Sequence, residues 1–160
     1  MRLTDLLSPE RVGIKRTSAN DDFDKETAIG LLATMLGEHD GVTTTEIERV
    51  LLEREALQST GIGEGVAIPH GALPQLTEQV AALLIVPAGV EFQAIDDAPV
   101  SILFGVIGPK RATGEHLKTL ARVSRLLRSK DFRTRLINAE SSSKAFELIS
   151  AEEAEKKGGV

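Results

Sequence analysis

Three side chains in this chain suit the handling of a charged group: Arg54, His70 and His116. His70 lies in the run Ser59-Thr-Gly-Ile-Gly-Glu-Gly-Val-Ala-Ile-Pro-His70-Gly, a glycine-rich turn followed by a short apolar stretch. Pro69 restricts its own backbone and biases Ile68 toward an extended conformation, while Gly71 lets the chain turn away without steric cost. A histidine so flanked is presented at a rigid strand exit. Imidazole is the side chain whose ordinary pKa leaves a large neutral, nucleophilic fraction near neutral pH. The arrangement reads as a placed nucleophile, although a histidine bonded to a loop carbonyl at a strand end would carry the same pattern.

Arg54 and His116 each fall on an apolar helix face. Residues 44–57 have helical spacing, with Ile47, Val50 and Leu51 on one stripe and Arg54 at its next position. A guanidinium cannot lose its proton, so there it must find an anion or several acceptors. It could aim a fork of donors at a phosphoryl group, or neutralise its own helix end, paired with Glu53 or Glu64. In residues 114–127, Leu120, Val123 and Leu127 define a face that His116 shares, with Thr113 as the expected N-cap. A first-turn imidazole is held toward its neutral form by the helix dipole, and free N–H groups there welcome an anion. It could equally be a satisfied core residue. Taken together, the three suit a negatively charged group that is taken up and passed on, since phosphoryl transfer demands mainly positioning and charge stabilisation.

The glycine-rich run through His70 resembles the active-site segment of the EIIA components of the bacterial phosphoenolpyruvate-dependent phosphotransferase system, mannitol/fructose type. Residues 92–109, Phe92-Gln-Ala-Ile-Asp-Asp-Ala-Pro-Val-Ser-Ile-Leu-Phe-Gly-Val-Ile-Gly-Pro109, and Glu115-His116-Leu117 agree in order, so the likeness spans roughly residues 3–150. The branch it resembles most is the nitrogen-regulatory one. The resemblance implies that His70 takes a phosphoryl group on Nε2 from the phosphohistidine of a small HPr-like carrier, with no separate cofactor. It further implies that His116 faces His70, that Arg54 binds phosphoryl oxygens, and that Ser59 and Thr60 belong to the loop lining the pocket. Glu64 stands where many nitrogen-type members carry a neutral residue. Two other functions fit the same features: a sugar-specific EIIA that passes phosphate to an EIIB domain, and a regulatory binding module without turnover.

Composition is compatible with this. A chain of 160 residues, 41% apolar and 27% charged, is of one-domain length, and the expected unit is residues 1–150 with a frayed tail over 151–160. There is no cysteine, and no short histidine pair of metal-ligand spacing, so no metal is expected. No apolar run approaches a membrane span and the first residues lack a secretory core, which leads to a cytoplasmic expectation with no membrane insertion. Residues 110–135 carry nine Lys or Arg against two acids in a chain of net charge −5. That strip is a solvated helix face or a dock for an acidic protein. Nucleic acid is not expected, because the chain has five Phe and no Tyr or Trp to stack on bases.

The elements that must position these residues alternate. A helical turn is expected at 3–7, a strand at 11–15, helices at 24–38 and 44–57, and a strand at 66–68. Continuous apolar runs at 81–86 and 100–107 read as strands covered on both faces, with Gly105 weakening the second. Helices at 114–127, 132–137 and 142–149 close the chain. Strands interleaved with helices give an α/β fold, a three-layer α/β/α sandwich around a central mixed sheet, and the family resemblance points to the same architecture.

Overall fold

The computed structural model describes residues 2–158. In chain order the elements are α1 (Leu3–Leu6), a 3-10 turn (Pro9–Arg11), β1 (Val12–Ile14), α2 (Lys25–Leu36), α3 (Thr44–Leu57), β2 (Gly61–Gly63), β3 (Val66–Ala67), β4 (His70–Leu73), β5 (Val80–Val90), β6 (Val100–Pro109), α4 (Thr113–Leu126), α5 (Lys130–Ile137) and α6 (Ser142–Gly158). The sheet is ordered β1-β5-β6-β3-β2, with β4 also paired to β6. Strands β5 and β6 pair antiparallel, whereas β1 on β5 and β3 and β4 on β6 are parallel, so the sheet is mixed.

The two apolar runs are covered on both faces, as their composition requires. Along β5, Ala82, Leu84 and Val86 join the core under α2 and α3, while Ala81, Leu83 and Ile85 join the core under α1, α4, α5 and α6. Strand β6 divides likewise, with Leu103 and Ile107 on one side and Ile102, Phe104 and Val106 on the other. Gly105 does not weaken β6: a methyl group there would stand 2.7 Å from Leu32 Cδ2, so its absence lets α2 lie close on the sheet. Asp24 caps α2 by accepting from the Thr27 amide, and Thr43 with Glu46 forms a capping box at the start of α3.

Three expectations need correction. The last helix does not end near residue 149: α6 continues to Gly158, and residues 159–160 lie outside the described residues. The reason is polar rather than apolar. Buried Glu153 accepts hydrogen bonds from the amides of Leu3 (2.6 Å) and Thr4 (3.0 Å) at the start of α1, where a carboxylate meets unpaired donors and the favourable end of a helix dipole. Thr113 is the first residue of α4 rather than its N-cap; Ala112 holds the cap position without a side-chain bond, and the Thr113 hydroxyl donates to Lys110 O. The glycine-rich turn and the histidine that follows it also belong to the sheet, as β2 and the start of β4.

Candidate active site

β3 and β4 follow one another along β6 as a single strand interrupted at Ile68 and Pro69; β2 covers the outer side of β3, and β4 pairs with β6 alone. Val66 pairs with Ile102, Ala67 with Leu103 and His70 with Val106, so the register along β6 is the same on both sides of the break. Proline has no N–H to donate, so the ladder there is carried by its carbonyl, which accepts from Val106 N at 3.0 Å. Ile68 N donates instead to Thr60 O at 3.0 Å, which ties the broken strand to the loop before β2. That leaves Ile68 O for the ring of His70, whose Nδ1 lies 2.7 Å away. A carbonyl can only accept, so Nδ1 carries the proton and Nε2 keeps its lone pair. Burial holds His70 below the usual histidine range; the Ile68 bond opposes that, the Arg54 charge adds to it and the Glu55 charge opposes it. A neutral imidazole with its lone pair on Nε2 is the nucleophilic form.

Gly71 explains how α3 reaches this strand. A methyl group at Gly71 would stand 2.3 Å from Val50 Cγ1, so only glycine admits the helix at that distance. Arg54 lies one turn beyond Val50 on the same face. It is half-buried and its Nη1 donates to Gln58 O at 2.7 Å, which bends the side chain around the helix end. Neither acid weighed as its partner is bonded to it: Glu53 pairs with Arg49 and Glu64 with Arg133, each at 2.7 Å.

His116, in the first turn of α4, faces His70 with ring centroids 5.7 Å apart and planes tilted by 53°. It too is held below the usual histidine range, by burial first and by His70 second. The three residues thus come from three elements: β4 for His70, α3 for Arg54 and α4 for His116. His39 stays out of the group; it is half-buried after α2, with Nε2 2.7 Å from Leu36 O.

Ser59 and Thr60 have hydroxyls committed inside the loop. Ser59 Oγ donates to Phe92 O at 3.0 Å and accepts from Gly61 N at 3.1 Å. Thr60 is buried, and both its amide and its hydroxyl donate to Glu55. Glu55 is the residue the sequence reading missed. It is buried beside Arg54, bound twice by Thr60 and paired with Lys25 Nζ at 2.7 Å, and Lys25 itself lies 4.8 Å over the Phe92 ring. The signal was present in the spacing, because Ile47, Leu51 and Glu55 are each four residues apart on the buried face of α3.

The basic strip is partly structural. Arg133 is buried, its Nη1 donates to Leu127 O and Arg128 O at the end of α4, and its Nη2 pairs with Glu64. Arg135 pairs with Asp131 and Glu152. Among the described residues no group of three or more His, Cys, Asp or Glu is placed to hold a metal ion, and no helix is long and apolar enough to cross a membrane.

The chain and its fold are similar to known proteins. Residues 7–152 match the family model described as phosphoenolpyruvate-dependent sugar phosphotransferase system, EIIA 2. The chain is 34% identical over 149 residues to a nitrogen regulatory protein of Bradyrhizobium diazoefficiens, covering 93% of this chain and 95% of that one. In structure it is similar to nitrogen regulatory protein IIA-Ntr from Neisseria meningitidis, with a TM-score of 0.82, 26% identity, and coverage of 92% and 98% of the two chains. It shares its fold with the mannitol enzyme IIA solved in complex with phosphorylated enzyme IIB from Escherichia coli, with a TM-score of 0.73 at 22% identity, covering 91% of this chain and 99% of that one. With the family model covering most of its length and a neutral imidazole standing just past the break between β3 and β4, this chain belongs to the EIIA type-2 family of the phosphotransferase system.

Proposed function

We propose that this protein is a phosphohistidine carrier of the nitrogen-regulatory phosphotransferase branch, acting in the cytoplasm. His70 Nε2 attacks the phosphorus of a phosphohistidine on an HPr-like carrier. The P–N bond to the carrier breaks as the P–Nε2 bond forms, and the carrier leaves with its imidazole lone pair restored. The His70 Nδ1–H bond to Ile68 O persists throughout and steadies the ring. Arg54 and His116 act on the charge of the transferring group. Ser59 and Thr60 shape the loop beside it through their internal bonds.

The observation that carries this reading is the 2.7 Å contact between His70 Nδ1 and Ile68 O, which leaves Nε2 as the free nucleophile. Likeness to nitrogen regulatory proteins over nearly the whole chain supports the branch. Regulation follows from charge. A phosphoryl group adds negative charge and acceptor oxygens to a site whose two imidazoles are neutral, so a protein touching its rim distinguishes the two forms.

The test is incubation with phosphorylated HPr-like carrier, with and without EIIB domains, followed by intact mass and acid lability. One acid-labile phosphoryl group is expected, absent in His70→Ala. Efficient onward transfer to a fructose or mannitol EIIB would replace the regulatory reading with the sugar-specific one. Absence of any uptake by the native chain would leave only a binding module.

A further inference from the structure

Among the described residues, two buried side-chain atoms lack a hydrogen-bond partner: Gln79 Oε1 and His116 Nδ1. They belong to one place. Gln79 precedes β5, whose first residue, Val80, pairs with Ile107, so Gln79 stands beside Gly108 of β6. A methyl group on Gly108 would lie 3.0 Å from Gln79 Cγ and 3.4 Å from His116 Nδ1, so both side chains close over the same glycine. The Gln79 amide begins one bond beyond Cγ and reaches toward His116 by side-chain rotation. A buried polar atom left unpaired costs about 1–3 kcal/mol, and here one contact would satisfy two.

We infer that Gln79 is a positioning residue for His116: its amide NH2 donates to His116 Nδ1 and thereby places the imidazole proton on Nε2. Oε1 and Nδ1 are not bonded to each other, so the contact needs a rotation of the Gln79 side chain. The amide oxygen and nitrogen are exchanged in it by a half-turn about one bond, so that a donor faces Nδ1. The unexchanged amide would instead accept a proton from Nδ1. It would then leave Nε2 as a bare lone pair, which repels phosphoryl oxygens. Only the donating orientation makes His116 a hydrogen-bond donor while it stays neutral. That matters because burial and the neighbouring His70 both disfavour the imidazolium, which would carry a proton on each nitrogen regardless. No residue of the glycine-rich motif takes part in this contact.

The test is the tautomer of His116 in the unphosphorylated full chain, read from long-range 15N–1H correlation spectra of the native protein, Gln79→Leu and Gln79→Glu. The native chain is expected to be protonated on Nε2. Gln79→Glu, which can only accept, should bring a proton to Nδ1, and Gln79→Leu should yield a mixture. If Gln79→Glu fails to fold, Gln79→Leu decides alone. An Nδ1–H tautomer in the native chain, or a tautomer unchanged in the folded variants, overturns the inference. A second readout rests on the proposed carrier function: the lifetime of phosphorylated His70 should change roughly two- to tenfold in Gln79→Leu, the size of one ordinary hydrogen bond. An unchanged lifetime counts against the role. A native chain that takes up no phosphoryl group refutes the carrier reading, while the tautomer still decides this one.

Discussion

Replacing Glu55 attacks the site from beneath. In Glu55→Ala the Thr60 amide and hydroxyl lose their acceptor, and Lys25 loses the anion 2.7 Å from its ammonium. The pair is largely withdrawn from water, with side-chain exposures of 18% for Lys25 and 4% for Glu55. Removing one member of a buried ion pair costs about 3–5 kcal/mol. The value here should lie toward the lower end, because Lys25 retains some solvent access and the Gln93 Oε1 bond at 3.1 Å. For a domain of this size each kcal/mol lowers Tm by roughly 2–4 °C, so a fall of about 6–15 °C is expected. Glu55→Gln removes the charge and keeps the shape, so it should lose less stability. It should also lower the His70 pKa, since the Glu55 charge is one of the influences that raise it. The assay is chemical denaturation of native, Glu55→Ala, Lys25→Met and the double variant, with histidine titration by NMR. Coupling energy between Lys25 and Glu55 below about 0.5 kcal/mol, together with an unmoved His70 titration, would refute the network.

Three further outcomes follow from the geometry. Arg54→Ala should slow phosphoryl uptake by roughly one to two decades, the size of a charge-assisted hydrogen bond realised in the transition state, with little change in Tm because its one bond is to the exposed end of its own helix; unchanged uptake with a large Tm loss would make it purely structural. His116→Gln should keep the fold and alter onward transfer or the lifetime of phosphorylated His70, and wild-type transfer in both directions would remove His116 from the site. His70 and His116 both have folded pKa values below the usual histidine value of about 6.5, so the unfolded chain binds more protons between the folded and unfolded values. Their contribution to stability is therefore complete above pH ~6.5 and declines as pH falls through that window, and loss of this slope in a His70→Gln/His116→Gln double variant, followed by denaturation against pH, checks it.

The layered fold was legible because its core follows two periodicities that a sequence displays. The runs over β5 and β6 are almost continuously apolar, Ser101 excepted, which is what a strand covered on both faces needs. Arg54 and His116 stood out because each interrupts a helical stripe, and His70 because proline and glycine enclose it. What stayed hidden was polar and non-local. Glu55 lies on the stripe as plainly as Arg54, but its partners Lys25 and Thr60 are brought to it by the packing of α2 and by the loop before β2. That the hydroxyls of Ser59 and Thr60 are committed within the loop was hidden too, because sequence does not say which carbonyl or carboxylate lies within reach. The β2 and β4 segments were obscured for another reason: glycine and proline weaken the local strand signal, and pairing with β3 for β2 and with β6 for β4 restores it.

The contact of Glu153 with the first amides of α1 has a consequence for where this unit can be cut or joined. Its carboxylate brings a residue late in α6 against Leu3 and Thr4, so the incoming and outgoing segments of the fold meet at one corner. A chain stopped at residue 150 would strip the acceptor from two amides and release the Arg2 bond to Ser150 from its neighbour, although every strand of the sheet would be intact. The same adjacency means that a short peptide bridge could link the two segments and new termini could be opened in a surface loop, giving a circularly permuted protein with Arg54, His70 and His116 undisturbed. A unit whose entering and leaving segments meet at one corner can also be spliced into a longer polypeptide without forcing its neighbours apart.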